Sequence, residues 1–301
     1  MAKDFNTKPY SDLDEMLERE NLDAVCITTP PQIHREQAIR SMEAGCDVLV
    51  EKPFALSTGD AEEMLKVAER TGVRLCVVRN QLFDPGIPRA LKLRKEMKDV
   101  IGFYGFFSFR RRVKESEKSW VNELPGGVMG EDLPHAIYLI RNFMGENPDP
   151  ESVEAKYKDG ELKATLHGDK VTGEIRASKN VPYNRMILVL GRNVSLVVDK
   201  ENYIVSRHFL GKASIKSFLG NNLTILGDVF KGTVKQGFLY GSAKFFRSLG
   251  MERGYRTHPH YIQVDAFIRD LSGEGVPDFS GEDGLINVRI WEQIWKLAGE
   301  L

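Results

Sequence analysis

The chain has 301 residues, 42% of them hydrophobic, with 42 Lys plus Arg against 43 Asp plus Glu and a formal net charge of −1. A chain of this length can bury a substantial core and suits two domains better than one. Near-neutral charge gives no global field to draw nucleic acid or an anionic membrane, which leaves small molecules and protein surfaces as expected partners. Cys26, Cys46 and Cys76 lie in or beside apolar runs, without CxxC or metal-type spacing, and read as reduced core residues of a cytoplasmic protein. No apolar run reaches the roughly 20 residues of a membrane span. The opening MAKDFNTKPYSDLDEM has no signal-peptide core.

The first predicted element is a helix starting at Ser11 with Asp14, carrying Leu13, Met16 and Leu17 on one face and ending at Asn21. Asp23 to Thr28 follows as a short continuous apolar run, the pattern of a strand buried on both faces of a parallel sheet. A helix from Gln32 to Ala44 stops at Gly45 and leads into the strand Asp47 to Val50. Another helix begins near Ser57, sets Ala61, Met64, Leu65 and Ala68 on one face, and stops at Gly72 before the strand Arg74 to Val78. Strand starts at Asp23, Asp47 and Arg74 recur at the length of a βαβ unit, so right-handed crossovers stack them in one parallel sheet. This is half of a doubly wound fold.

The pattern changes near Asp99, which sets expected domains at 1–99 and 100–301. Ile101 to Arg112 is an aromatic-rich strand containing FYGFFSF, and a helical segment runs from Pro125 to Met144. Strand-like runs then cover Ser152 to Tyr157, Gly173 to Ala177, Arg185 to Leu190, Val194 to Val198 and Tyr203 to His208, joined by short turns as in an antiparallel sheet. Helices near Pro259 to Leu271 and Gly281 to Leu297 close the chain.

In open α/β sheets ligands bind outside the carboxyl ends of the strands. Two neighbouring strands deliver polar, proline-stiffened turns there, Thr28-Thr29-Pro30-Pro31 and Glu51-Lys52-Pro53. TPPQIH, then EKP, then RNQLFDP after the third strand, then GGVMGEDLPH at Gly126 to His135, together resemble the glucose-fructose oxidoreductase, inositol dehydrogenase and MocA family. The resemblance is continuous over residues 2 to 145 and looser through Ser152 to Val198 and the C-terminal PDFSGEDG.

The resemblance implies a Rossmann-type parallel sheet domain followed by a mostly antiparallel α+β domain with helices on one face. It implies hydride transfer between NAD or NADP and a hydroxyl or carbonyl of a sugar, sugar derivative or cyclic polyol, and a homo-oligomer formed through the second-domain sheet. A hydride leaves an alcohol carbon only as the hydroxyl proton is removed, so such a site needs a base and an oxygen-polarising group. His135 matches the family's catalytic histidine and Lys52 its active-site lysine, while Glu131 stands where the family has an aspartate. Thr28, Thr29, Pro30, His34, Glu51, Lys52, Pro53 and Asn80 match its cofactor-contacting positions. Pro134 disfavours helical geometry at Leu133, so an alternative starts the helix at Pro134 and makes Asp132 its cap or the site carboxylate. Gln81 and Leu82 replace the family's paired arginines.

The family also opens with a strand and a GxGxxG turn that holds the pyrophosphate. No such motif precedes Tyr10, Gly102 to Gly105 lies inside a strand, and Gly237 to Gly241 follows no strand. The expectation is a reading frame that begins upstream. The alternative is a non-catalytic binding or assembly homologue without the cofactor half-site. Arg110 to Arg112 read as a solvated strand end, with contact to an anionic substrate as the alternative, His258 and His260 as surface or helix-capping residues or else substrate contacts, and Trp291 and Trp295 as core or interface; no metal site is expected.

Overall fold

The computed structural model describes residues 7–109, 118–209, 214–249, 258–274 and 279–301, so the Arg110 to Arg112 run lies outside the described residues. The chain forms two compact units, Met1–Val78 with Asp278–Val288, and Arg79–Pro277 with Arg289–Leu301.

The first unit alternates helix and strand as expected. Helix α1 spans Leu13–Arg19, and its cap is Asp12 rather than Ser11, whose place is one residue too early: the Asp12 carboxylate accepts the Glu15 N–H at 2.9 Å. Strands β1 (Ala24–Ile27), β2 (Asp47–Val50) and β3 (Leu75–Val77) alternate with α2 (His34–Glu43) and α3 (Thr58–Thr71). Ser57 caps α3, and Gly72 ends it in the left-handed region at φ 72°, where a side chain is disfavoured. The sheet is parallel in the order β1-β2-β3, with Ile27 opposite Val50 and Val50 opposite Val77. Val48, Val50, Leu75 and Val77 bury against Ala38 and Met42 of α2 and Ala61, Met64 and Ala68 of α3. The β3 edge is extended by Phe279, whose carbonyl accepts the Val77 N–H at 2.9 Å.

One expectation for this sheet is corrected. β1 is an edge strand, and only Ile27 of it is fully buried while Cys26 is exposed. Among the described residues β1 pairs with β2 alone, so its other edge is open, and Ala24 and Val25 are only half-buried. Cys46 and Cys76 are buried as expected.

The second unit holds α4 (Ile87–Glu96), β4 (Val100–Ser108), α5 (Lys118–Asn122), α6 (Val128–Met144), β5 (Glu154–Lys158), β6 (Glu161–His167), β7 (Thr172–Ser178), β8 (Arg185–Gly191), β9 (Val194–Asp199), β10 (Ile204–Phe209), α7 (Ile215–Ser248) and α8 (Pro259–Leu271). The last helix, α9 (Gly281–Ala298), begins in the first unit and ends in this one. The seven strands lie in the order β10-β9-β8-β4-β7-β6-β5, every neighbouring pair antiparallel except β4 with β7. Helix α6 packs on this sheet where Gly173 of β7 carries no side chain: a Cβ there would stand 2.5 Å from Ile140.

Pro134 does not start a helix; it sits inside α6, which begins at Val128. Proline removes the N–H that the carbonyl four residues back would receive, here that of Gly130. The indole N–H of Trp291 donates to this carbonyl instead, at 2.9 Å. The helix therefore continues without a buried orphan.

Candidate functional site

In the first unit the rim residues form two turns joined by one imidazole. β1 delivers Thr28, Thr29 and Pro30, and β2 delivers Glu51, Lys52 and Pro53, with the Glu51 N–H donating to the Ile27 carbonyl at 2.9 Å. His34 opens α2 directly behind the first turn and is fully buried. Its Nε2 lies 2.8 Å from the Thr29 carbonyl and its Nδ1 2.9 Å from the Pro53 carbonyl. A neutral ring donates to one of these and a protonated ring to both. Burial pushes the His34 pKa down, against the two carbonyls and the Glu51 carboxylate, which pull it up. The ring thus sets the spacing of the two turns, a function its place at a helix start did not disclose.

The Lys52–Pro53 peptide is cis. Glu51 Oε2 accepts the backbone N–H of Lys52 at 3.0 Å, so the carboxylate folds back over its own turn. Both side chains are half-buried. The Thr29 hydroxyl donates to Gln37 Oε1 at 2.7 Å, which fastens the first turn to α2.

In the second unit the candidates converge on Tyr138. Its hydroxyl lies 2.7 Å from His135 Nδ1 and accepts the Gln81 backbone N–H at 3.1 Å. Burial raises the Tyr138 pKa well above its ordinary value, so the phenol keeps its proton. The hydroxyl, already accepting from Gln81, gives its proton to Nδ1 when the ring is protonated on Nε2 alone, and accepts from Nδ1–H with its second lone pair when it is not. Nε2 is 3.8 Å from Asp132 Oδ1, and Arg185 Nη2 is 3.8 Å from the same oxygen. Glu131 is half-buried in the first turn of α6, where the helix dipole favours an acid.

Around this centre, Arg79 lays its guanidinium 5.3 Å from the Tyr138 ring centroid and donates its backbone N–H to Gln263 Oε1 at 2.8 Å. Asn80 Nδ2 donates to His260 Nε2 at 2.8 Å, and His260 stacks on His258 with centroids 5.4 Å apart. Lys200 Nζ meets Asp84 Oδ2 at 2.6 Å with both side chains buried. Burial lowers the Lys200 pKa while Asp84 holds it up. The buried Gln81 Oε1 has no hydrogen-bond partner among the described residues. Asp132 was legible as the alternative site carboxylate, whereas Tyr138 and Lys200 carried no sequence signal of their own, since Tyr138 gains meaning from Gln81 and Lys200 from Asp84, both distant in the chain. Asp84 and Gln81 lay inside the RNQLFDP motif.

Comparison with known proteins agrees with this architecture. Residues 1–79 match the family model described as an oxidoreductase family with an NAD-binding Rossmann fold. The 2,7-anhydro-N-acetylneuraminate hydratase of Mediterraneibacter gnavus is 30% identical over 154 residues, covering 50% of this chain and 40% of the hydratase. The NADP(+) scyllo-inositol 2-dehydrogenase IolU of Bacillus subtilis is 37% identical over 99 residues, covering 33% of this chain and 29% of that enzyme. The chain thus spans less than half the length of these curated relatives. The WlbA dehydrogenase of Bordetella pertussis, solved in complex with NADH and UDP-GlcNAcA, shares the fold at a TM-score of 0.74 and 20% identity, over 99% of this chain and 83% of that one.

Proposed function

We propose that this chain, whose first 79 residues belong to the glucose-fructose oxidoreductase, inositol dehydrogenase and MocA family, is a cytoplasmic NAD(P)-dependent oxidoreductase of CH–OH groups on a sugar, sugar derivative or cyclic polyol. The observation that carries this reading is the His34 ring, which holds the Thr29 and Pro53 turns at the carboxyl ends of β1 and β2 in one fixed spacing. Such a rim is where an open α/β sheet receives its ligand. Thr28, Thr29, Pro30, Glu51, Lys52, Pro53 and Asn80 would hold the nicotinamide end of the cofactor. When bound, the nicotinamide supplies or accepts the hydride.

The residues of this chain then manage the proton and the oxygen. Lys52 is a point charge that stabilises the reacting oxygen as negative charge develops on it. In the reductive direction the doubly protonated His135 ring gives its Nε2 proton to that oxygen and is left neutral, with its remaining proton on Nδ1. In the oxidative direction Nε2 must be the acceptor, so the ring proton sits on Nδ1 and the Tyr138 oxygen accepts from both Nδ1–H and the Gln81 N–H. A hydroxyl has two lone pairs and serves either tautomer by rotating its own proton. Asp132 steadies the imidazolium that forms. The similarity to WlbA and IolU supports a sugar or polyol substrate, and homo-oligomerisation through the second-unit sheet belongs to the same reading.

The test is titration of the folded chain with NAD(H) and NADP(H), followed by nicotinamide fluorescence and thermal shift. Saturable binding, with turnover on a panel of sugars, sugar nucleotides and inositols that Lys52→Ala lowers at least about 100-fold, is the expected result. A folded chain that binds neither nucleotide would overturn it in favour of a non-catalytic homologue.

A further inference from the structure

Helix α7 is apolar on two opposite faces. Its inner face carries Asp228, Gly232 and Ala243, all buried, and lies on β10: Gly232 approaches Ile204 and Tyr203, while Asp228 pairs with Arg207 at 2.9 Å and with Arg89 at 2.6 Å. On the outer face Leu219, Leu223, Leu226, Phe230, Val234 and Phe238 recur every three or four residues, each between 54% and 76% exposed. At roughly 150–250 Å² per large side chain, this stripe presents on the order of 600–900 Å² of apolar surface, more than the few hundred that soluble monomers ordinarily leave open. A helix apolar all round is normally covered.

Charge decides what covers it. Lys216, Lys231, Lys235 and Lys244 are exposed along this helix, and its one acid, Asp228, is buried and held by arginines. The chain's net charge of −1 thus hides a local run of one sign. A second copy laid symmetrically on this face sets lysines against lysines with no acid on either helix to answer them. Anionic lipid headgroups answer them. The helix cannot cross a bilayer, since no described helix is long and apolar enough. At 34 residues it is about 50 Å long and lies flat instead.

We propose that α7 is an interfacial helix that docks this protein on an anionic lipid surface, with Leu226, Phe230, Val234 and Phe238 entering the boundary between headgroups and acyl chains and Lys216, Lys231 and Lys244 resting among the headgroups. The surface is independent of the oxidoreductase reading and stands whether or not a nucleotide binds.

The experiment is flotation of the full chain with vesicles of phosphatidylcholine alone and of about three parts phosphatidylcholine to one part phosphatidylglycerol. The mixed vesicles are expected to bind at least about 10-fold more tightly, and less so as salt is raised. Phe230→Glu with Val234→Glu is expected to abolish binding, and Lys231→Glu with Lys244→Glu to weaken it at least about 10-fold. Circular dichroism checks that both variants fold, and Tyr104→Glu, on the exposed face of the seven-stranded sheet, retains binding. Three results would overturn the proposal: no enrichment of the folded wild type on mixed vesicles, binding indifferent to the α7 substitutions, or a homodimer by light scattering that Phe230→Glu dissolves, which would assign the face to a second copy.

Discussion

The indole N–H of Trp291 donates to the carbonyl of Gly130 at 2.9 Å, and this bond makes Pro134 tolerable inside α6. Trp291→Phe removes the donor and leaves a buried carbonyl unpaired, at a cost of about 1–3 kcal/mol before any loss from packing. Pro134→Ala restores an N–H four residues after Gly130. In the Trp291→Phe background it should recover part of the loss, so the two substitutions couple in a denaturant-unfolding cycle by about 1 kcal/mol. Additive effects would show that the carbonyl does not need the indole.

Tyr138→Phe isolates the hydroxyl between His135 and the Gln81 N–H. Without it, Nδ1 loses its hydrogen-bond partner and the tautomer balance of the ring shifts, which nitrogen chemical shifts of a labelled His135 report directly. If His135 handles the proton, kcat falls about 10- to 100-fold while KM changes little, and the acidic limb of the pH–rate profile moves. Unchanged tautomer and unchanged profile would reduce Tyr138 to a packing residue.

The helices and strands most legible in the sequence are those whose local signals agree. Ser57 as a cap, the Ala61, Met64 and Ala68 face and a left-handed Gly72 specify α3 from within. Strand β6 turns Leu162, Ala164 and Leu166 inward, but three apolar residues separated by Lys163 and Thr165, and flanked by Glu161 and His167, are too short an alternation to stand out from a polar loop. Helix α7 was not legible: it holds five glycines, and its two apolar faces cancel the one-sided pattern by which a surface helix is recognised. The site divides the same way. Motif residues such as Lys52, Asn80 and His135 are readable because they are neighbours in sequence. His34 as a bridge and Tyr138 as a partner are not, because each acts through groups 19 and 57 residues away.

His34 predicts a pH dependence. Burial depresses its pKa below the ordinary 6.5. The folded state therefore favours the neutral ring, and its contribution to stability is complete above about pH 6.5 and is lost as pH falls from there through the folded-state value. Thermal unfolding followed through the amides of β1 and β2 should show a midpoint declining on acidification across that window. His34→Gln keeps one donor for one turn and cannot titrate, so it should flatten the slope and lower stability at neutral pH by about 1–2 kcal/mol. A slope that survives the substitution would have to come from another group.

Asp228 predicts how firmly α7 is held. Its carboxylate accepts from the side chain and backbone of Arg207 and from Arg89, and it is buried. Burial alone pushes its pKa up, but the Arg207 and Arg89 bonds outweigh this and hold it below the ordinary 3.8. A depressed carboxylate contributes stability above its unfolded value and loses it only as pH falls below about 3.8 through the folded value, so this anchor is intact at neutral pH. Asp228→Asn keeps the shape and removes the charge. Because both guanidiniums are about one-third exposed, the expected loss is about 2 kcal/mol rather than the larger cost of a fully enclosed pair. Hydrogen exchange along α7 reads this locally: protection from Ile225 to Ala243 should fall while that of α6 stays constant. Protection unchanged in α7 would mean that packing on β10, and not the ion pair, holds the helix in place.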